Sequence, residues 1–171
     1  MKQEKTVLQK FLGSRLLTGI LLGIFVFLFS ACTVETPMVH YPEPTNYVVD
    51  DSGVISDDLE ASLNKNLAEF KGTAEIAVVT VKTTQPLDEK QYAINLARKW
   101  GIGDAEKDNG VLFLIVTEDR KLRIETGRGT EGVISDAEAG RILDTVVPHL
   151  KENDWDAGIA QGVLGIMEGV Q

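Results

Sequence analysis

The chain predicts an α/β domain: a small mixed sheet of about four strands, the last two a hairpin, sandwiched between helices. Three observations carry this. Apolar β-branched runs alternate with helix-periodic segments through the middle of the chain, the pattern of parallel strands joined by right-handed crossovers. The run Val111 to Val116 is apolar on both faces, as a central strand requires. A tight turn, Glu118-Asp119-Arg120-Lys121, then leads straight into the alternating segment Leu122 to Thr126, and only antiparallel strands are joined so closely.

The elements follow in order. Tyr47-Val48-Val49 reads as a short strand, closed by the turn signal Asp50-Asp51-Ser52-Gly53. Ser56 caps a first helix, with Asp57 and Asp58 in its first turn and Leu59, Leu63, Leu67 and Phe70 at helical spacing; Gly72 is expected to end it. Glu75 to Thr83 is a buried strand rich in isoleucine and valine. Asp88 caps a second helix whose face is Tyr92, Ala93, Leu96, Ala97 and Trp100, and Gly101 stops it. The polar loop 101–110 precedes the central strand, and a glycine-rich loop, 127–132, follows the edge strand. Ser135 and Glu138 form a capping box for a third helix, which Pro148 is expected to break or kink. Asp154 caps the last helix, which carries Trp155, Ile159, Val163 and Ile166.

The whole chain has 171 residues, 43% of them hydrophobic and 25% charged, which fits one globular domain with extensions. Disordered and multi-span membrane classes are excluded on that balance. One cysteine excludes an internal disulfide and a cysteine-built zinc site.

Residues 1–31 read as a secretory signal: Lys2, Lys5, Lys10 and Arg15 stand before an apolar run from Leu16 to Phe29; the uncharged stretch runs on to Val34, so an uncleaved anchor is the alternative, against which the place of the only cysteine counts. Leu28-Phe29-Ser30-Ala31-Cys32 resembles the lipobox of bacterial lipoproteins, with phenylalanine where leucine is usual. That resemblance implies cleavage before Cys32, acylation of its thiol and amino terminus, and anchoring through more than one acyl chain. Residues 32–46, with Pro37, Pro42 and Pro44, read as a proline-rich tether in which His40 is solvated, and the folded domain as 47–171. Cleavage removes four bases and one acid, leaving 25 acids, 13 bases and a net charge of −12. Such a surface repels phosphate backbones and anionic lipid, so nucleic acid is not expected as a partner and the acyl chains must hold the membrane.

Several chemistries are excluded or narrowed by spacing. Gly127-Arg128-Gly129-Thr130-Glu131-Gly132 matches a dinucleotide fingerprint by letter, but the helix waits until Ser135 and no parallel strand follows, so no dinucleotide is expected. The 104–115 segment lacks the glycine and the terminal glutamate of an EF-hand, which leaves only a looser calcium site built from the Asp104-to-Gly110 loop and others. No GxSxG, P-loop or second histidine-based constellation is present, and His149 reads as a helix-end residue. The hairpin does bring two loops together: Asp108-Asn109-Gly110 precedes its first strand and 127–131 follows its second. Asp108 and Glu131 therefore face one gap, with Asn109 nearby. Two readings stand: an oxygen-ligand site for Ca²⁺ or Mg²⁺, or carboxylates that cap amides within their own loops. Asp50 joins only if the first strand ends at the same edge.

An ordered set of fragments resembles the TPM domain. The set runs through Tyr47 to Ser56, Ala77 to Val81, Trp100 to Gly103, Lys107 to Leu112, Arg120 to Gly127, Gly129 to Gly132 and Asp136 to Ile142. The family is named for a thylakoid lumen protein, a photosystem II repair protein and a modulator of a nematode acetylcholine receptor. The resemblance implies a sheet between helix layers and action outside the cytoplasm near membranes. Some members are acid phosphatases with acidic residues at a divalent-ion site; others are assembly factors or binding modules. Carried onto this chain, the acidic motif positions are Asp50, Asp108 and Glu131. Many bacterial members add a spanning helix and a glycine-rich tail, and this sequence ends at Gln171 without them.

The resulting expectation is a lipid-anchored, extracytoplasmic binding module for an envelope protein complex. Where the cell has an outer membrane, Thr33 after Cys32 favours that membrane, facing the periplasm; otherwise the outer face of the plasma membrane is expected. The alternative is a phosphomonoesterase in which Asp50, Asp108, Asn109 and Glu131 hold Ca²⁺ or Mg²⁺ and Arg128 contacts phosphate.

Overall fold

The computed structural model describes residues 38–70 and 72–171; the signal segment, Cys32 and the first part of the tether lie outside the described residues. The sheet contains β1 (Val48–Asp50), β2 (Glu75–Val81), β3 (Gly110–Val116) and β4 (Lys121–Thr126). Its order is β1-β2-β3-β4, with parallel pairing up to β3 and an antiparallel β3–β4 hairpin. The helices are α1 (Asp57–Glu69), α2 (Glu89–Trp100), α3 (Asp136–Lys151) and α4 (Trp155–Gly169).

Strand side chains alternate between faces, so the sheet builds two cores. Val48, Val78, Phe113 and Ile124 lie in register across all four strands and pack under α1, α3 and α4. Ala77, Val79, Val81, Leu112, Leu114 and Val116 face the other way, onto Tyr92, Ala93 and Leu96 of α2. One helix therefore serves a face on which β4 presents Arg123 and Glu125, which pair with each other.

The four helix caps form as the sequence requires: Ser56, Asp88, Ser135 and Asp154 accept from the amides of Leu59, Gln91, Glu138 and Ala157. Three expectations are corrected. Glu138 does not reach back to complete the capping box; it pairs with Arg141 one turn on. Helix α1 ends at Glu69, before Gly72: Phe70 caps it with extended backbone, its amide on the Leu67 carbonyl, and Thr73 bonds the Val170 carbonyl at 2.8 Å. Helix α3 is not broken at Pro148 but continues through it to Lys151, with the proline exposed.

The described part of the tether, from Val39 to Glu43, is packed against the domain. Tyr41 stacks on Tyr92 with ring centroids 4.8 Å apart. The Tyr92 hydroxyl donates to the His40 carbonyl at 2.7 Å, and the Trp100 indole to the Pro42 carbonyl at 3.0 Å. Lys99 meets Glu43 at 3.2 Å, and Pro42 is buried. The strap covers the part of the second core that α2 leaves bare. Its aromatic partners, Tyr92 and Trp100, lie in a helix fifty residues on, so a proline-rich segment alone gave no sign of it. His40, read as solvated, is largely exposed but stands 3.3 Å from Asp51.

Phe113 is fully buried at the centre of the larger core, and α4 crosses it at Gly162, where an added Cβ would come within 2.5 Å of the ring. Phe113→Ala should cost about 3–5 kcal/mol, read as a lowered denaturant midpoint.

Candidate functional site

Because β3 and β4 are antiparallel, Val111 pairs with Thr126, and the loops beyond that pair meet at one end of the sheet. The hairpin ladder continues past the strands: the Gly127 amide donates to the Gly110 carbonyl and the Gly129 amide to the Asp108 carbonyl, both at 2.8 Å. The two glycines have a steric reason. An added Cβ at Gly127 would lie 2.2 Å from the Asp108 carbonyl oxygen, and one at Gly129 2.1 Å from that of Lys107. The apparent fingerprint thus records backbone lying on backbone.

The 101–109 loop is tied down by its own polar groups. Asp104 accepts from the amides of Glu106 and Lys107 at 2.9 and 3.0 Å. Asn109 accepts from the Asp104 amide at 2.8 Å and donates to the Thr73 carbonyl. Glu75 accepts from the Gly103 amide at 3.0 Å. Asp108 takes positive φ, +49°, which turns the chain into β3.

Between this loop, the C-terminal half of α2 and the β4 end lies an open cavity of about 660 Å³. Asp104, Asp108 and Glu131 line it together with Arg98, Arg128 and Glu125. Arg128 Nε donates to Asp108 Oδ2 at 2.9 Å. The Arg128 side chain, then its backbone amide, holds the Asp108 carboxyl below the usual carboxylate range, with Arg98 adding to the effect. The same pairing, helped by Glu131, raises the Arg128 guanidinium further. Amides of Lys107 and Glu106 likewise hold the Asp104 carboxyl low. These groups face water, so the pairing positions side chains more than it stabilises the fold.

Of the residues read as metal ligands, Asp108 and Glu131 do share this cavity. Asn109 stands beside them, but both ends of its amide are committed to the loop. Asp50 is not in the cluster, which corrects its inclusion: it pairs with Thr80, which pairs with Ile115, near the opposite end of β3. There it accepts from the amides of Gly53 and Ile55 at 3.0 and 2.8 Å and from the Thr80 hydroxyl, which shapes the β1–α1 turn. The four-residue set therefore does not converge on one ion. Among the described residues no group of three or more histidine, cysteine, aspartate or glutamate side chains has a metal-binding arrangement. Beside Asp108 the place of a cation is taken by the Arg128 guanidinium. Arg98 and Glu125 were missed, and Asp104 was weighed only as a calcium-loop position; the Asp104-Ala-Glu-Lys spacing carried the signal of an aspartate-capped turn.

Sheet, helix layers and a charged cavity at the hairpin's open end define an α/β domain that carries its functional groups on loops. The family model for the TPM domain matches residues 48–169, and the chain belongs to that family. It is 27% identical over 135 residues to the chloroplastic UPF0603 protein of Arabidopsis thaliana, a match covering 75% of this chain and 47% of that protein. The chain thus spans about half the length of this curated relative. The solution structure of the N-terminal domain of a P. gingivalis protein is similar, with TM-score 0.68 and 30% identity over 78% of this chain and 92% of that one. The N-terminal domain of the Corynebacterium glutamicum cg2496 protein shares the fold, with TM-score 0.58 and 17% identity over 82% and 88% of the two chains. So does the BA42 protein of Bizionia argentinensis, with TM-score 0.59 and 20% identity over 67% and 80%.

Two predictions follow from the loop contact. Gly127→Ala forces the Asp108 carbonyl away and should cost about 1–3 kcal/mol, measured by denaturant unfolding. The folded pKa of Asp108 lies below its unfolded value, so the stabilisation from its pairing is present above the ordinary carboxylate range and disappears as pH falls through the lowered pKa. Titration of the Asp108 carboxyl carbon by NMR should show this low midpoint, and Arg128→Ala should raise it.

Proposed function

We infer that this TPM-domain protein is an extracytoplasmic module, held at the envelope by acyl chains on Cys32, that docks a protein partner through its charged cavity. In a cell with two membranes the anchor is in the outer membrane and the domain faces the periplasm; otherwise it lies on the outer face of the plasma membrane. The observation that carries this reading is how the cavity's groups are spent. Asp104 and Asn109 fix the loop, Asp108 fixes Arg128, and Arg98, Arg128 and Glu131 are left as an exposed rim of mixed charge on a fixed frame. Preset charges on a rigid rim favour recognition and orientation of a partner surface.

The competing reading is a divalent-metal-dependent acid phosphatase. The family name supports it, and it keeps Asp108 and Glu131 for the ion. It leaves the terminal guanidinium nitrogens of Arg128 to contact phosphate while Nε stays on Asp108, but no third carboxylate from β1 is available to it.

Photo-crosslinkers at Arg98 and Glu131 in the native lipoprotein should yield a discrete envelope-protein adduct, absent when the crosslinker stands at Lys65 on α1. Purified wild type and Asp108→Ala should release phosphate from p-nitrophenyl phosphate at the same rate with Ca²⁺ or Mg²⁺. Turnover lost in Asp108→Ala would overturn the docking reading in favour of the phosphatase. Cys32→Ala should move the protein from the membrane fraction to the soluble fraction.

A further inference from the structure

A second recess lies at the end of the sheet away from the charged cavity. It is a groove of about 450 Å³ between the β3–β4 turn, the start of β4 and the α3–α4 turn. Its floor is apolar: Leu122, Leu150 and Trp155 are half-buried there, at the margin of the larger core. Its rim carries Arg120, Lys121 and Lys151, and no acidic side chain lines it, in a chain whose net charge is −9. Among the described residues none of these three bases is in an ion pair. Two acids of the bordering turns are spent elsewhere. Asp119 accepts from the Thr83 hydroxyl at 2.8 Å and the Thr84 amide at 3.2 Å, and Asp154 caps α4.

Lysine at the end of α3 suits the helix dipole, but Arg120 has no such local reason. Its φ is +53°, in the left-handed region that favours glycine or asparagine. Every other described residue with positive φ is glycine, aspartate or asparagine. The turn would close more easily on glycine. Strain kept for the sake of one exposed base is a sign that the base is used.

Leu122 adds backbone groups to the groove. β4 is the edge strand. The Gly127 amide bonds the Gly110 carbonyl, and alternation along the antiparallel ladder then turns the backbone groups of Lys121, Arg123 and Glu125 toward β3. Those of Leu122, Ile124 and Thr126 point out from the free edge. An extended peptide carries matching amides and carbonyls; an acyl chain carries neither.

We propose that this groove docks an acidic, extended segment of a protein partner. An apolar side chain of the segment sits on Leu122, Leu150 and Trp155, its carboxylates meet Arg120, Lys121 and Lys151, and its backbone pairs with the free edge of β4. A half-exposed tryptophan ringed by bases is the kind of anchor around which binding energy concentrates. The site is separate from the charged cavity and does not depend on acylation of Cys32.

The probe is a fluorescein-labelled peptide, Asp-Phe-Glu-Leu-Asp-Glu, and the readout is its anisotropy with full-length protein in phosphatidylcholine nanodiscs at low salt. Binding should saturate. It should weaken several-fold in Arg120→Gly and again in Lys151→Gln, and stay unchanged in Lys65→Gln on α1. Arg120→Gly should unfold at the same or a higher denaturant concentration than wild type, so its weakened binding cannot come from misfolding. Glutamine or asparagine in place of every peptide acid should weaken binding several-fold. N-methylation of the odd or of the even peptide residues should abolish binding in one case and spare it in the other, since only alternate amides face β4. Absence of saturable binding, or equal binding by the uncharged peptide or by both groove variants, overturns the proposal. Equal effects of the two methylation patterns overturn the strand pairing. Displacement of the peptide by an equal concentration of short-chain phosphatidylglycerol assigns the groove to anionic lipid and overturns the protein partner.

Discussion

The contact on which the rest of the structure depends is the extension of the β3–β4 ladder into two loops. Gly127 and Gly129 lie directly on the carbonyls of Asp108 and Lys107, with no room for a side chain between them. That approach sets the height of the 101–109 loop over β3, and the height sets the cavity. It also delivers Arg128, which lies between the two glycines, to Asp108. Loop glycines are usually credited with freedom; here their value is thinness, since neither needs positive φ.

The second constraint is coverage. Three helices bury one face of the sheet, while α2 alone serves the other. β4 answers by placing Arg123 and Glu125 on the thinly covered face, where they neutralise each other. On the β1 side the strap fills the gap with Tyr41 and Pro42; α2 itself lies over β3 and β4, and the cavity opens where its C-terminal half meets the loops at the hairpin's open end.

Most of the fold was legible because each element carries its own signal. The run Val111 to Val116 announces a central strand, and Ser56, Asp88, Ser135 and Asp154 announce four helix starts. The meeting of Asp108 and Glu131 was legible too, since it needs only the hairpin's geometry. What escaped was non-local. The place of Asp50 stayed open because it depends on whether β1 runs parallel to β2, and three residues do not encode direction. The Arg128–Asp108 pair depends on how closely the two loops approach, and the strap on which helix offers aromatic partners.

The packed strap changes what counts as the domain. The family match starts at residue 48 and stops at 169, yet the acceptor for the buried Tyr92 hydroxyl is the carbonyl of His40, and the Val170 carbonyl receives both donors of Thr73. A chain cut to the family boundaries would orphan polar groups at both ends of the sheet, and Tyr92 would face water where it now faces Tyr41. The span that a family model matches and the span that packs together are different objects, and in this protein they differ by the strap before residue 48 and by Val170.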